Sequence, residues 1–542
     1  MNRAVLALPL GLFALPLALA LPAALLQAAD TVAWRTLLTD PQLPSALGLS
    51  VGSATLSTAL ALLACLGLVT PLYRSALWPQ LTRALGPMLA LPHAAFAIGL
   101  ALLLMPAGLL ARLIAPLAGW VAPPDWPTVN DPHAVALTAV LFSKELPFLL
   151  WNAVALLARP DMTLSLRGWL ASGVALGYRP SAVWWRVLWP LLLPRLAWPL
   201  LAVLAYGLTV VDLALIVGPA SPPTLAVLAW QALQDGNAAR NAEGAAAALL
   251  LSFVLAALAL AGALGGRLLL RLWQRAAVDG QRGTARPRGG AAVRALWRGL
   301  LVLYATVAAM LLASSWVGVW TFPSLLPQVW ASGAWQQVLD SSGALALSAG
   351  LGAVAAAVAL VLVLLWLEAT PAGWDQRAMP LVLAPLALPS LLLMTGLYTL
   401  ALPLRLDGTL AGLAWVHTLV TLPYVFVALA PAWRSFDRRY ESTALALGRT
   451  RTAFWLRVKA PLLAAPIAAA LAVGFAVSVA QYLPTQFIGA GRHASITTET
   501  VALASGGQRH TAAAFAVLQA LLPAIGFALA AGVGHRQRVR MV

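Results

Sequence analysis

The chain is poor in charge, and poorest in lysine and acid. Only 9% of its 542 residues are charged, 17 are Asp or Glu, and lysine occurs twice, at Lys144 and Lys459. A single cysteine, Cys65, sits in an apolar run. That excludes a disulfide framework and a cysteine-ligated metal site. No G-x-x-x-x-G-K-[ST] occurs, and neither lysine has the glycines that a phosphate loop needs. The chain therefore does not bind ATP through a P-loop. Any energy it uses comes from another subunit or from an ion gradient. The few carboxylates and histidines are scattered, which argues against a membrane-embedded enzyme.

Apolar residues make up 61% of the chain. A soluble fold cannot bury that share, so the bilayer is its solvent. At about 20 apolar residues per crossing, twelve spans are predicted: 4–27, 46–70, 86–111, 134–158, 193–217, 244–266, 299–320, 344–367, 380–404, 410–431, 463–488 and 511–534. The fold class is all-α and polytopic. Ala28-Ala29-Asp30 has the look of a cleavage site, but the preceding apolar run is too long for a signal peptide, so it reads as an uncleaved first helix.

The net charge of +17 would suggest nucleic acid in a soluble protein. Here the charges are sorted by side instead. With a cytoplasmic N-terminus, the outer loops receive Arg35, Arg112, Arg240, Arg405, Arg492 and Arg509, and nearly all the remaining Lys and Arg fall inside. The bias places both termini in the cytoplasm.

One stretch is written twice. ALGYRPSAVWWRVLWPLLLP starts at Ala175 and ALGRTRTAFWLRVKAPLLAA at Ala446. At a constant spacing of 271, Gly177 pairs with Gly448, Trp184 with Trp455, Arg186 with Arg457, and Pro190 with Pro461. Ser50-Val51-Gly52 likewise matches Ser348-Ala349-Gly350, Pro92 and Gly99 match Pro389 and Gly396, Leu146-Pro147 matches Leu422-Pro423, and Gly218 matches Gly489. The chain thus divides into a first half at 1–266, an Arg-rich linker at 267–298 carrying Arg282, Arg286, Arg288 and Arg294, and a second half at 299–542. Six spans in each half give two parallel repeats related by an axis along the membrane normal, an arrangement that lines a pathway.

The duplicated loops, about 159–192 and 432–463, can be read physically. Gly177 and Gly448 permit a sharp turn between short helices. Pro190 and Pro461 suit the start of the next span. Trp184, Trp185, Arg186, Phe454, Trp455 and Arg457 are the residue types that interfaces favour.

The loops resemble the EAA loop of ABC importer permeases, in which Pro follows Gly by thirteen positions, as in Gly177 to Pro190 and Gly448 to Pro461. The chain as a whole is similar to fused twelve-span permeases of the iron(III), thiamine and polyamine importer type. It is also similar to an enteric fused permease of a binding-protein-dependent system, over Asp40-Pro41-Gln42-Leu43-Pro44, Gly218 to Gln231 and Ala480 to Gly507. The family's Glu-Ala-Ala would fall at Ala171-Ser172-Gly173 and Ser442-Thr443-Ala444. Glu441 lies one position early, and the first copy has no acid. The resemblance implies an inner-membrane, non-catalytic permease that carries a small solute. It implies loops docked on two copies of an ABC ATPase, with ATP and Mg on that partner, and a periplasmic solute-binding protein on the outer face. No cofactor, metal or nucleic acid is expected on the chain. The alternative is a proton-coupled twelve-span secondary transporter, although 71–85 lacks that class's Gly-x-x-x-Asp-Arg-like motif.

Ionisable groups inside spans are candidate functional residues. These are His93, Lys144, Glu145 and Asp212, with Gln481 as the nearest polar group to Asp212's counterpart Leu483. Lys144 and Asp212 are read either as an ion pair or as pathway lining. In the outer loop 489–510, Arg492, His493 and Glu499 are candidates for contact with a binding protein, and are too sparse for a metal site.

Overall fold

A computed structural model describes residues 3–277 and 290–541. The chain is helical nearly throughout, and Val317–Val319 and Val329–Trp330 are the only strands among the described residues. Ten helices there are long and apolar enough to cross a bilayer, or twelve if two bent helix pairs each count as one span. This bears out the all-α polytopic expectation.

Several span boundaries need correction, and most corrections lie at prolines. The expected 86–111 span is interrupted where Leu91, held extended ahead of Pro92, separates the Trp78–Ala90 helix from His93–Leu104. The expected 380–404 span breaks likewise at Leu388, ahead of Pro389. The expected 193–217 span belongs to a longer helical run, Pro180–Thr209, that stops at an extended Val210. A separate short helix, Asp212–Val217, follows. The expected 463–488 span ends at Val479, and the Leu483–Gly489 helix restarts with Pro484 in its first turn, leaving Gln481 in the break. The expected 299–320 span stops at Ser314. Of the expected linker, residues 267–277 extend the Ala238–Ala277 helix, and 290–298, with Arg294, begin Gly290–Ser314. The remainder, with Arg282, Arg286 and Arg288, lies outside the described residues.

The helices gather into two compact units. One runs Thr31–Ser314 and takes in Val319–Trp330. The other holds the elements from Ala331 onward together with the Leu15–Gln27 helix from the chain's start. Each half's first helix therefore packs in the unit built mainly from the other half. Matching glycines permit both exchanges. A Cβ on Gly99 would stand 2.7 Å from the Val307 side chain and 2.9 Å from its carbonyl oxygen, on the Gly290–Ser314 helix. A Cβ on Gly396 would overlap the Ala20 carbonyl, on Leu15–Gln27. Close backbone approach of this kind is the usual way membrane helices associate, because lipid offers no hydrophobic drive between them.

Candidate functional site

The two repeated loops fold alike. The Pro160–Ala175 helix ends on Gly177 with φ +85°, and Arg439–Ala446 ends on Gly448 with φ +71°. In the first, Tyr178 N–H donates to the Gly173 carbonyl at 2.9 Å and Gly177 N–H to Val174 at 2.9 Å. In the second, Arg449 N–H donates to Ala444 at 3.0 Å and Gly448 N–H to Leu445 at 3.0 Å. Both are Schellman caps, which need a left-handed residue and hence glycine. Extended Arg179 and Thr450 then start the next helices, and Thr450 caps its own by accepting from Ala453 N–H at 3.2 Å. Each of these helices contains one π turn, Trp184–Leu188 and Trp455–Lys459, closed by Trp189 N–H to Trp184 and Ala460 N–H to Trp455.

The prolines do not start spans. Pro190 follows the π turn inside the continuous Pro180–Thr209 run. Pro461 lies just before a break at Leu463, where Arg451–Leu462 and Ala464–Val479 bend by 73°. A residue without an N–H is tolerated where the regular hydrogen-bond ladder has already been shifted.

Side chains in the loops divide between struts and surface. Trp184 is only 3% exposed, stacked edge-on against Tyr73 at 5.4 Å and tilted on Trp189 at 5.2 Å. It props the loop from within. Trp185 is exposed and stacks on Trp273. Arg186 lies 5.8 Å from the Tyr178 ring. Trp455 donates its indole N–H to Glu368 at 3.1 Å, and Lys459 pairs with the same carboxylate at 2.5 Å while sitting 4.1 Å over Trp433. Arg457 is exposed, and Glu441 lies 3.8 Å from Arg451. Sequence reading missed two exposed leucines. Leu176 and Leu447, matched positions just ahead of the two turn glycines, are 63% and 75% exposed. A leucine before a glycine gives no sign in sequence of whether it faces the interior or the surface.

The polar interior is different in each unit. The expected Lys144–Asp212 ion pair is not formed. The Lys144 ammonium donates to the carbonyls of Met88 at 2.9 Å and Leu91 at 2.6 Å, at the end of the Trp78–Ala90 helix, with the Phe96 and Tyr304 rings at 5.8 and 5.7 Å. The break ahead of Pro92 frees those carbonyls, and a cation suits a helix C-terminus. Glu145 turns to His93, at 3.5 Å, and His93 contacts the Tyr206 ring at 4.9 Å. Asp212 begins its own helix, where the dipole favours an anion, within electrostatic reach of His93. His93, Glu145 and Asp212 thus gather, with Lys144 turned away behind them. In the other unit the sequence reading overlooked His417. It is fully buried, its Nδ1 2.9 Å from Ser478 Oγ and its Nε2 3.0 Å from Thr485 Oγ1, and so it bridges the break that holds Gln481. A lone histidine within an apolar run offered no clue to its two hydroxyl partners.

The outer-loop candidates have mixed fates. His493 lies 3.1 Å from the Gly408 carbonyl, Glu499 is in the first turn of Ile496–Ser505, and Arg492 is exposed. Arg112, expected in a loop, is buried. It donates to the carbonyls of Ala107, Thr321, Ser324 and Trp320 at 2.6–3.0 Å and stacks on Trp320. Among the described residues no group of three or more His, Cys, Asp or Glu could hold a metal.

No family model matches the chain. Over 505 residues it is 37% identical to the inner membrane ABC transporter permease protein YnjC of Escherichia coli (strain K12), covering 92% of this chain and 89% of the relative. It is also 31% identical over 170 residues to the molybdenum transport system permease proteins ModB of Mycobacterium tuberculosis and Mycobacterium bovis, covering 29% of this chain and 64% of each relative. With the helical, multi-pass architecture, this relationship makes the chain a member of the ABC transporter permeases, a non-catalytic transport subunit of the inner membrane.

Proposed function

We propose that the chain forms the solute pathway of an ATP-driven, binding-protein-dependent importer, and that its two glycine-turn loops dock on two copies of an ATPase subunit. The observation that carries this reading is the pair of loops. They share a Schellman cap, a π turn and a protruding leucine, at Leu176 and Leu447, so that two copies of one partner would meet the same shape twice.

The concentration of Arg on the loop side supports a cytoplasmic setting for both loops and both termini, where ATP and Mg would be bound by the partner. A periplasmic binding protein would then meet the opposite face, with exposed Arg492 as the candidate contact. His93, Glu145 and Asp212 are the charged candidates for the solute's route, and Gln481 is the polar one in the second half. The relationship to ABC permeases disfavours the proton-coupled alternative.

Mild detergent purification of the tagged chain from its host tests this. The expected result is an ATPase carrying a phosphate loop, identified by mass spectrometry, at two copies per chain. Leu176→Asp with Leu447→Asp should abolish its recovery while the permease stays monodisperse. Recovery of the chain without an ATPase in several detergents would overturn the reading.

A further inference from the structure

Two residues outside the loops tie each loop to a membrane-spanning helix. By the register that aligns Ser50 with Ser348, Thr70 on the Leu43–Leu72 helix corresponds to Glu368 on Ser342–Ala369. Both accept an indole N–H from the adjacent loop helix. Trp189 Nε1 donates to Thr70 Oγ1 at 2.8 Å. Trp455 Nε1 donates to Glu368 Oε1 at 3.1 Å, with Lys459 on the same oxygen. Acceptor type and donor position both differ: a hydroxyl in one half and a carboxylate in the other, with the tryptophans at either end of the π turn. The link persists although the residues that make it do not match, which would be a coincidence if the contact were incidental packing.

Resting on the docking reading above, we propose that Thr70 and Glu368 are the positioning residues through which movement of each docked loop is passed to the spanning helix beside it. An indole N–H is directional, donates once, and is held on a rigid ring. A loop helix pulled by its ATPase would therefore carry the acceptor, near the end of a spanning helix, along with it. The final turn of each helix is the place where a small displacement acts on the longest lever.

Matched, open positions supply the reporters. Gly52 and Gly350 lie on the same two helices, both exposed, and an added Cβ meets nothing within 4 Å. Gly52→Cys and Gly350→Cys are introduced separately into a Cys65→Ala background, and the permease–ATPase complex is reconstituted in nanodiscs. Maleimide labelling rates are compared without nucleotide and after trapping with ATP and vanadate.

The expected result is a nucleotide-dependent rate change at both reporters. Thr70→Val should at least halve the change at Gly52→Cys, and Glu368→Leu should do so at Gly350→Cys, each sparing the other helix. Thr70→Ser and Glu368→Gln, which keep an acceptor, should retain it. Trp189→Phe and Trp455→Phe remove the donor instead and should repeat the loss if either acceptor variant folds poorly. ATPase recovery should be unchanged in the Thr70 and Glu368 variants, which lie outside the docking loops, and this separates transmission from docking. Unchanged labelling responses in the acceptor and donor variants, or wild-type reporters that ignore nucleotide, would overturn the proposal. Failure of any ATPase to associate with the wild type would instead overturn the docking reading on which it rests.

Discussion

The hydroxyl of Ser50 accepts the backbone N–H of Leu225 at 2.8 Å, and that of Ser348 accepts Ile496 N–H at 2.8 Å. The two serines are matched positions of the repeat, and so are the two amides, at the spacing of 271 that governs the loops. Each bond ties the second membrane helix of a half to the short helix that opens its last outer segment, Leu225–Leu233 or Ile496–Ser505. Both amides lie at the first residue of a helix, where no intrahelical acceptor exists.

Removing either hydroxyl leaves a buried donor without a partner. Ser50→Ala and Ser348→Ala should each cost about 1–3 kcal/mol, the usual penalty for such an orphan. Denaturant unfolding in detergent should show similar losses for the two. A neutral result at both positions would mean that the repeat is kept by shape alone.

The turn glycines give a different kind of effect. A Cβ on Gly448 meets nothing within 4 Å, so no clash opposes alanine there, yet φ is +71°. Gly448→Ala should cost about 1–2 kcal/mol through backbone strain alone, and Gly177→Ala, at φ +85°, about the same. Asparagine, which tolerates the left-handed region better, should cost less than alanine at both sites. Thermal unfolding of the purified chain checks that order, and an alanine variant as stable as wild type would show that the cap had rearranged.

How far the sequence carried the reading depends on whether a feature is local. The loops were legible because the same residues recur at one spacing, and the turn at Gly177 and Gly448 depends only on neighbouring backbone. The spans were legible to within the ten to twelve that the helices allow, but their ends were not. Residues after Pro92, Pro389 and Thr209 remain apolar across a break, and hydropathy does not register a change of direction. The exchange of first helices was invisible, because Gly99 and Gly396 announce that some backbone approaches closely without saying which. Trp184 and Trp185 look alike in sequence, although one is a strut and the other is surface. Sequence also suggested that Lys144 could seek a carboxylate. The carbonyls it takes become available only once the helix before Pro92 has ended.

That arrangement predicts how Lys144 responds to substitution. Lys144→Met keeps most of the side-chain volume but leaves the carbonyls of Met88 and Leu91 without their donor, and it should cost about 1–3 kcal/mol. Asp212→Asn should act independently. In a double-mutant cycle the two effects should add to within about 0.5 kcal/mol, as for groups that share no partner. A coupling well above that would restore the ion pair that the structure replaces.

The end of the Leu410–Arg434 helix offers the sharpest test of geometry. Arg434 grips Asp375 in a two-point contact, Nε to Oδ2 and Nη2 to Oδ1, both at 2.7 Å. Its remaining donors go to the Leu367 and Thr370 carbonyls at 2.9 and 2.7 Å and to Thr370 Oγ1 at 3.0 Å, while Trp366 donates to Asp375 at 2.9 Å. Trp366, Leu367 and Thr370 flank Glu368 in the chain, so the clamp sets the end of the helix that receives Trp455. Lysine keeps the charge but lacks the planar fork, and cannot span these acceptors together. Arg434→Lys should therefore lose most of what Arg434→Met loses, about 1–3 kcal/mol in unfolding measurements. It should also loosen the neighbouring loop, seen as faster hydrogen exchange at Trp455 to Lys459. If lysine were as stable as arginine, with exchange unchanged, the contact would be one of charge alone and the fork would be incidental.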